Sequence, residues 1–224
     1  MKKISIALDG PAGAGKSTLA KKTAEHFGII YVDTGALYRC VGLFAYRNNV
    51  DSKDRESVCA LLPKITIEMK YDDSGIQRMI MCGEDVTDDI RIPVISSYAS
   101  DVSAISEVRD FLLSTQRDMA VKYSVLMDGR DIGTVVLPNA DLKIFITAAV
   151  DARANRRYLE LVSRGVNTTF EDVRADMIIR DKNDTERDVA PLKAADDAVI
   201  LDTTNLDFNE SFLAICELVQ GINT

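Results

Sequence analysis

Tryptophan is absent from this chain, and histidine occurs once, at His26. Catalysis by paired histidines is therefore excluded, and His26 itself sits among charged neighbours in a helical pattern that reads as surface. Cysteine is sparse and scattered: Cys40, Cys59, Cys82 and Cys216 form no CxxC. That spacing reads as reduced thiols rather than a disulfide frame or a zinc site. No apolar run is long enough to cross a membrane, and the first residues lead into a strand-like run rather than a signal peptide. A cytoplasmic location and no membrane partner are expected. Positive charge is also scarce, with 27 Lys and Arg against 35 Asp and Glu and a net charge of −8. This argues against a broad nucleic-acid-binding face, while leaving room for a small basic pocket in an acidic shell. What is present is ordinary for a soluble globular protein, with 46% hydrophobic and 28% charged residues.

A length of 224 residues suits one α/β domain with an insertion, or two small domains. Strand-like runs recur at Ile4–Asp9, Ile29–Val32, Val125–Asp128, Leu142–Thr147 and Ala198–Asp202, with helical patterns between them. The alternation predicts a parallel five-stranded sheet covered by helices on both faces, and favours a single domain over 1–224. One stretch breaks the rhythm. "ITIEMKYDD" and "GIQRMIMCG" flank a turn at "YDDSG", so Ile65–Cys82 reads as an antiparallel hairpin within an inserted subdomain at 61–92. The tail "NESFLAICELVQGI" reads as a final amphipathic helix packed on the core.

The densest chemical signal is "GPAGAGKST", which comprises Gly10, Pro11, Ala12, Gly13, Ala14, Gly15, Lys16, Ser17 and Thr18. An apolar strand precedes it and an amphipathic helix follows, which is the setting a phosphate-binding loop requires. Its glycines let backbone N–H groups turn inward toward an anion, and the helix start adds unpaired N–H groups. Lys16 supplies a mobile charge for β- and γ-phosphate, and Ser17 a hydroxyl for Mg²⁺.

Three further motifs carry charge. In "YVDTGALYR", Thr34 is placed to cap a helix, and Arg39 projects near the strand ends, where open sheets bind ligands. It reads as an anion contact, with a solvated helix charge as the bland alternative. In "VLMDGRDIGTVV", an apolar strand ends at Asp128, the position of a carboxylate that organises Mg²⁺, often through water. Arg130 and Asp131 follow in a Gly-flanked turn, where a mere ion pair is the bland alternative. In "MIIRDKNDTER", Arg180, Asp184 and Arg187 are spaced to share one helix face, suited to phosphate oxygens and a hydroxyl, or to an exposed salt-bridge ladder. Upstream, Arg153, Arg156 and Arg157 fall in one turn, with Arg164 beyond. They form either a solvated face or part of a lid at 153–168, with Arg153 and Arg157 touching the phosphoryl donor.

Taken together, "DGPAGAGKST", "DTGALYR", "DGRDIGTVV" and "IIRDKNDTERDVAPL" with "DAVILDTT" resemble the bacterial-type cytidylate kinases of the nucleoside monophosphate kinase group. The likeness runs from Ile4 to about Thr204, and the hairpin insertion resembles that family's enlarged monophosphate-binding region. The resemblance implies a P-loop kinase fold with a helical lid, ATP as phosphoryl donor with Mg²⁺, and CMP and dCMP as acceptors. It implies that Gly10 to Thr18 hold ATP and that Thr34, Ser100, Arg109 and Asp131 surround cytosine. Arg39, Arg130 and Arg187 would hold the acceptor phosphate, and Arg180 and Asp184 the pentose. Lys16, Arg130 and Asp128 would be the residues nearest the chemistry. An Asp accepts from the exocyclic amine of cytosine and opposes the carbonyl that uracil carries there. The rivals are a kinase for another acceptor such as UMP or shikimate, a nucleotide-dependent switch and a nucleic-acid motor. The switch lacks a guanine-reading motif, and the motor would need a longer chain. A monomer is the default expectation, because no exposed apolar stripe demands a partner.

Overall fold

The computed structural model describes residues 3–222. The chain begins with β1 (Ser5–Asp9), α1 (Lys16–Phe27), β2 (Ile30–Asp33), α2 (Thr34–Arg47) and α3 (Arg55–Leu61). Three short strands follow, β3 (Ile67–Tyr71), β4 (Gln77–Met81) and β5 (Glu84–Asp85), then α4 (Pro93–Val102) and α5 (Ser106–Lys122). The remainder comprises β6 (Val125–Gly129), β7 (Leu142–Thr147), α6 (Val150–Ser163), α7 (Phe170–Glu186), β8 (Val199–Asp202) and α8 (Phe208–Gly221). These elements form two compact units, one from the chain up to Tyr31 and from Tyr123 onward, the other Val32–Lys122. Among the described residues no helix is long and apolar enough to cross a membrane.

The first unit is built on the five-stranded sheet, whose order is β2-β6-β1-β7-β8. All five strands expected from sequence are present, each within a residue or two of its expected bounds. β1 pairs in parallel with β6 and with β7, and β7 in parallel with β8. β1 is central, and its Ile6, Ala7 and Leu8 are fully buried. That accounts for the unbroken apolar run, since a strand covered on both faces has no polar side to alternate with. Leu19, Ala20 and Ala24 of α1 meet Ile215 and Val219 of α8 in one core with Ile6, Leu8 and Ile144. α8 opens with a capping box, in which Asp207 and Glu210 each accept from the other's backbone N–H.

The second unit has its own core, in which Leu37 and Val41 of α2, Ile95 of α4 and Leu112 of α5 pack with Met79 and Met81 of β4. α2 and α4 approach closely: a Cβ on Gly42 would stand 3.0 Å from the Tyr98 Cβ. The expected hairpin is β3 against β4, with Ile67 opposite Met81. Its turn is shaped by Asp72, whose Oδ1 accepts from the backbone N–H of Ser74 and Ile76, each at 3.0 Å. A third strand, β5, extends this sheet. It is reached through Cys82 and Gly83, at φ 52° and 85°, a two-residue turn that a cysteine does not advertise in sequence.

Candidate active site

The phosphate-binding loop lies between β1 and α1 in the first unit. Gly10 is irreplaceable on geometry: φ is +145°, and a Cβ there would stand 2.0 Å from the carbonyl oxygen of Ile146. Gly13, at φ +72°, gives its space to the Met177 Cε and the Arg153 Cβ, which a Cβ would meet at 2.7 and 3.3 Å. α6 and α7 therefore press directly on the loop. Lys16 begins α1 and is only 6% exposed. Its Nζ donates to the Pro11 carbonyl oxygen at 2.7 Å, folded back over the loop it serves. Burial and the nearby Arg130 push its ammonium well below the usual lysine range, while Asp128 and Asp9 act in the opposite sense.

Asp128 is the last buried residue of β6. Its Oδ2 accepts from the Ser17 hydroxyl at 2.6 Å, and its Oδ1 from the Tyr31 hydroxyl at 3.2 Å. A hydroxyl and a carboxylate side by side are hard oxygen donors suited to Mg²⁺.

The charged groups of the Gly129–Asp131 turn do not pair with each other. Arg130 Nε donates to Asp184 Oδ2 on α7 at 2.8 Å, and Asp131 Oδ1 lies 3.7 Å from Arg187 NH2. Burial pushes the Asp184 carboxyl up, but Arg130, with Arg180 and Arg187, outweighs it and leaves the group below its ordinary value. Conversely, Asp184, Asp128 and Asp9 outweigh burial at Arg130 and raise it. The result is a buried cluster in which carboxylates hold arginine side chains in place before any phosphate arrives.

Arg180 and Asp184 lie on α7 as expected, but the helix ends at Glu186, so Arg187 does not share their helical face. Arg187 turns to extended backbone, and its Nε donates to the Ala190 carbonyl at 2.7 Å. The segment folds back under that carbonyl, with Ala190 at φ +48° and the Leu192 N–H donating to the Asp184 carbonyl at 2.7 Å.

The arginines of α6 divide. Arg153 is buried: its Nε donates to the Ala148 carbonyl, its NH1 to the Ala12 carbonyl at 3.0 Å, and both terminal nitrogens to Asp181 at 3.0 and 2.6 Å. It therefore ties the phosphate loop to α7 rather than standing on a solvated face. Arg156 donates to the Thr203 carbonyl, and Arg157 to Glu160 at 2.8 Å.

In the second unit the expected cap moves by one residue. Asp33, not Thr34, caps α2, accepting from the Ala36 N–H at 3.1 Å. Thr34 is the first helical residue and is buried. The Arg39 NH1 lies 3.9 Å from Asp33 Oδ2. Gln77 of β4 accepts from the Asp33 N–H at 2.9 Å and donates back to the Asp33 carbonyl at 3.4 Å, so the hairpin braces the start of α2. Arg109 is buried on α5, donates to the Ser103 carbonyl at 3.1 Å, and has its guanidinium 5.5 Å from the centre of the Tyr38 ring. Ser100 is half-buried on α4. Asp9, Tyr31, Gln77 and Asp181 were not singled out in sequence. They stand inside or beside the quoted motifs, but nothing in their spacing assigns them a role, and only their partners mark them.

The comparisons of the sequence with known proteins agree on one family. The family model described as cytidylate kinase matches residues 6–221. A cytidylate kinase of Caldicellulosiruptor bescii is 49% identical over 99% of this chain and 98% of the relative. One of Lactobacillus johnsonii is 46% identical over 97% and 94%. Among solved structures, an uncharacterized protein from Eubacterium ventriosum superposes with a TM-score of 0.52 at 17% identity, over 99% of each chain, a likeness of fold alone. Matched almost end to end by the family model and nearly half identical to such relatives, the chain belongs to the cytidylate kinase family.

Proposed function

We propose that this protein transfers the γ-phosphoryl group of ATP to CMP and dCMP. The observation that carries this reading is the buried charge cluster of the first unit, where Lys16, Arg130, Asp131, Asp184 and Arg187 are organised at the sheet end beside a phosphate-binding loop. Such a cluster suits an enzyme in which positioning and charge neutralisation supply most of the catalysis.

The donor is held by the loop from Gly10 to Thr18. Lys16 exchanges the Pro11 carbonyl for phosphate oxygens, a stronger, charge-assisted bond. Arg153 shapes this loop through Ala12, and Arg157 lies further along the lid segment, 153–168, where it can reach the donor when the lid closes. Mg²⁺, held by Ser17 and by Asp128, directly or through water, would neutralise phosphate charge when bound.

The acceptor contacts come in two sets. In the second unit Thr34, Ser100 and Arg109 serve the base, and Arg39 the acceptor phosphate. In the first unit Arg130 and Arg187 serve that phosphate, Asp131 the base, and Arg180 and Asp184 the pentose. Asp184 gives one oxygen to Arg130. A carboxylate has about four lone-pair sites, so a pentose hydroxyl can bind as well. The acceptor phosphate oxygen is already anionic and attacks the γ-phosphorus in line, so no side chain need act as general base. Charge passing to the leaving phosphate meets Lys16 and the arginines, and lid closure excludes the water that would otherwise hydrolyse ATP.

The test is ATP consumption measured side by side with CMP, dCMP, UMP, AMP and shikimate. CMP and dCMP are expected to give the highest kcat/KM. A faster reaction with any of the other three would overturn the reading.

A further inference from the structure

We propose that Asp9 is a positioning residue for acceptor selection, locking the Arg130–Asp131 turn through its carboxylate. Asp9 is the last residue of β1 and stands immediately before Gly10. The tight approach of Gly10 to Ile146 constrains the backbone that follows Asp9. In the strand register Asp9 lies opposite Gly129, the residue that opens the turn.

Both carboxylate oxygens are committed to that turn. Oδ1 accepts from the Ile132 N–H and Oδ2 from the Gly133 N–H, each at 2.7 Å. These are short, charge-assisted bonds, made in a site where Asp9 is 4% exposed. The two amides begin the single wide helical turn Ile132–Val136, and amides at a helix start have no partner within it. They also follow directly on Asp131, whose backbone, at φ −147° and ψ 27°, is neither helical nor regular strand. Its carbonyl accepts from the Val135 and Val136 N–H groups at 2.9 and 3.2 Å, so Asp131 is tied to the same helical turn whose first two amides Asp9 anchors. Gly133 completes the fit: a Cβ there would stand 3.3 Å from Asp9 Oδ2 and 3.1 Å from the Lys143 Cδ. One carboxylate thus joins the start of the donor loop to the turn that carries Arg130 and Asp131.

An asparagine at this position keeps the size and loses the function. It has one acceptor oxygen for two N–H donors, and its NH₂ group faces the second amide. The turn would then be held at one point and free to swing at the other.

The inference rests on the activity proposed above, and steady-state kinetics of the wild type, Asp9→Asn and Gly133→Ala with CMP, UMP and ATP keep the two apart. The wild-type preference for CMP over UMP tests the activity. The change of that preference in the variants tests Asp9. Asp9→Asn is expected to raise KM for CMP at least tenfold, shrink the CMP-to-UMP ratio of kcat/KM, and leave KM for ATP within about twofold. Gly133→Ala, which crowds the same oxygen from the turn side, is expected to give the same signature more weakly. Loss of kcat by one factor for both acceptors with KM for CMP unchanged would assign Asp9 a purely structural role. A rise confined to KM for ATP would assign it to the donor loop. If both variants fail to fold where the wild type is folded, Asp9 is a stability residue and the proposal fails.

Discussion

The Ser17 hydroxyl donates to Asp128 Oδ2 at 2.6 Å, joining residues 111 positions apart. The first is in the phosphate loop and the second at the end of β6, so the pair is a product of the parallel pairing of β1 with β6. If the two oxygens serve Mg²⁺, Ser17→Ala should raise the Mg²⁺ concentration needed for half-maximal rate about tenfold, the low end of what losing a group that orients a metal ligand costs. Stability should change by about 1 kcal/mol or less, the scale of one hydrogen bond. A Mg²⁺ titration of the initial rate alongside a thermal melt checks both. An unchanged Mg²⁺ requirement would remove Ser17 from the metal's environment.

Asp184 is the partner of Arg130, so its removal has two consequences. Asp184→Ala leaves a largely buried guanidinium without its carboxylate, a change that costs about 3–5 kcal/mol. The same substitution should weaken CMP more than ATP, since a lost charge-assisted hydrogen bond is worth roughly 1.5–3 kcal/mol. Denaturant unfolding and separate KM measurements for the two substrates resolve these effects. Equal weakening of both substrates would mean that the α7 face is only a salt-bridge ladder.

The proposed contact of Asp131 with the base sets a third test. Asp131→Asn replaces a group that can only accept hydrogen bonds with one that can also donate, so UMP loses its electrostatic penalty and CMP its charged acceptor. The CMP-to-UMP ratio of kcat/KM should fall by roughly 1–3 kcal/mol in free-energy terms. The 3.7 Å approach of Arg187 supplies the competing outcome. A variant slowed equally on both substrates would show that Asp131 chiefly holds that arginine.

The buried Asp9 predicts a pH dependence of stability. Burial raises its carboxyl from 3.8 to about 6, against the lowering effect of the Gly133 and Ile132 amides. Because the folded value lies above the unfolded one, its stabilising contribution is complete below about 3.8 and is lost as pH rises through about 6. Asp9→Asn has no such proton. The wild type should therefore lose stability relative to Asp9→Asn between pH 4 and 7, by something on the order of 3 kcal/mol. Asp85 and Glu107, both held near 2, titrate alike in the two proteins and cancel from the difference. Urea midpoints of both proteins across this range are the measurement, and a pH-independent difference would sink the prediction.

What could be read from the sequence was local. The loop "GPAGAGKST" requires glycines at fixed offsets. The five sheet strands are short apolar runs bounded by turns, and the hairpin alternates about "YDDSG". Each of these signals is contained in a few residues, because backbone sterics and burial periodicity act over that distance. The partners of the charged residues were not legible in this way. Arg130 and Asp131 are neighbours in sequence and could have paired, yet they bind Asp184 and Arg187. Arg153 read equally well as a surface charge, and it is buried between Ala12 and Asp181. Asp9 opens the motif "DGPAGAGKST", yet nothing in the sequence points its carboxylate at amides 123 and 124 residues away. A charge has no period and no fixed reach along the chain. Its partner is whichever opposite group the packing of strands and helices buries beside it, and only the tertiary structure decides that.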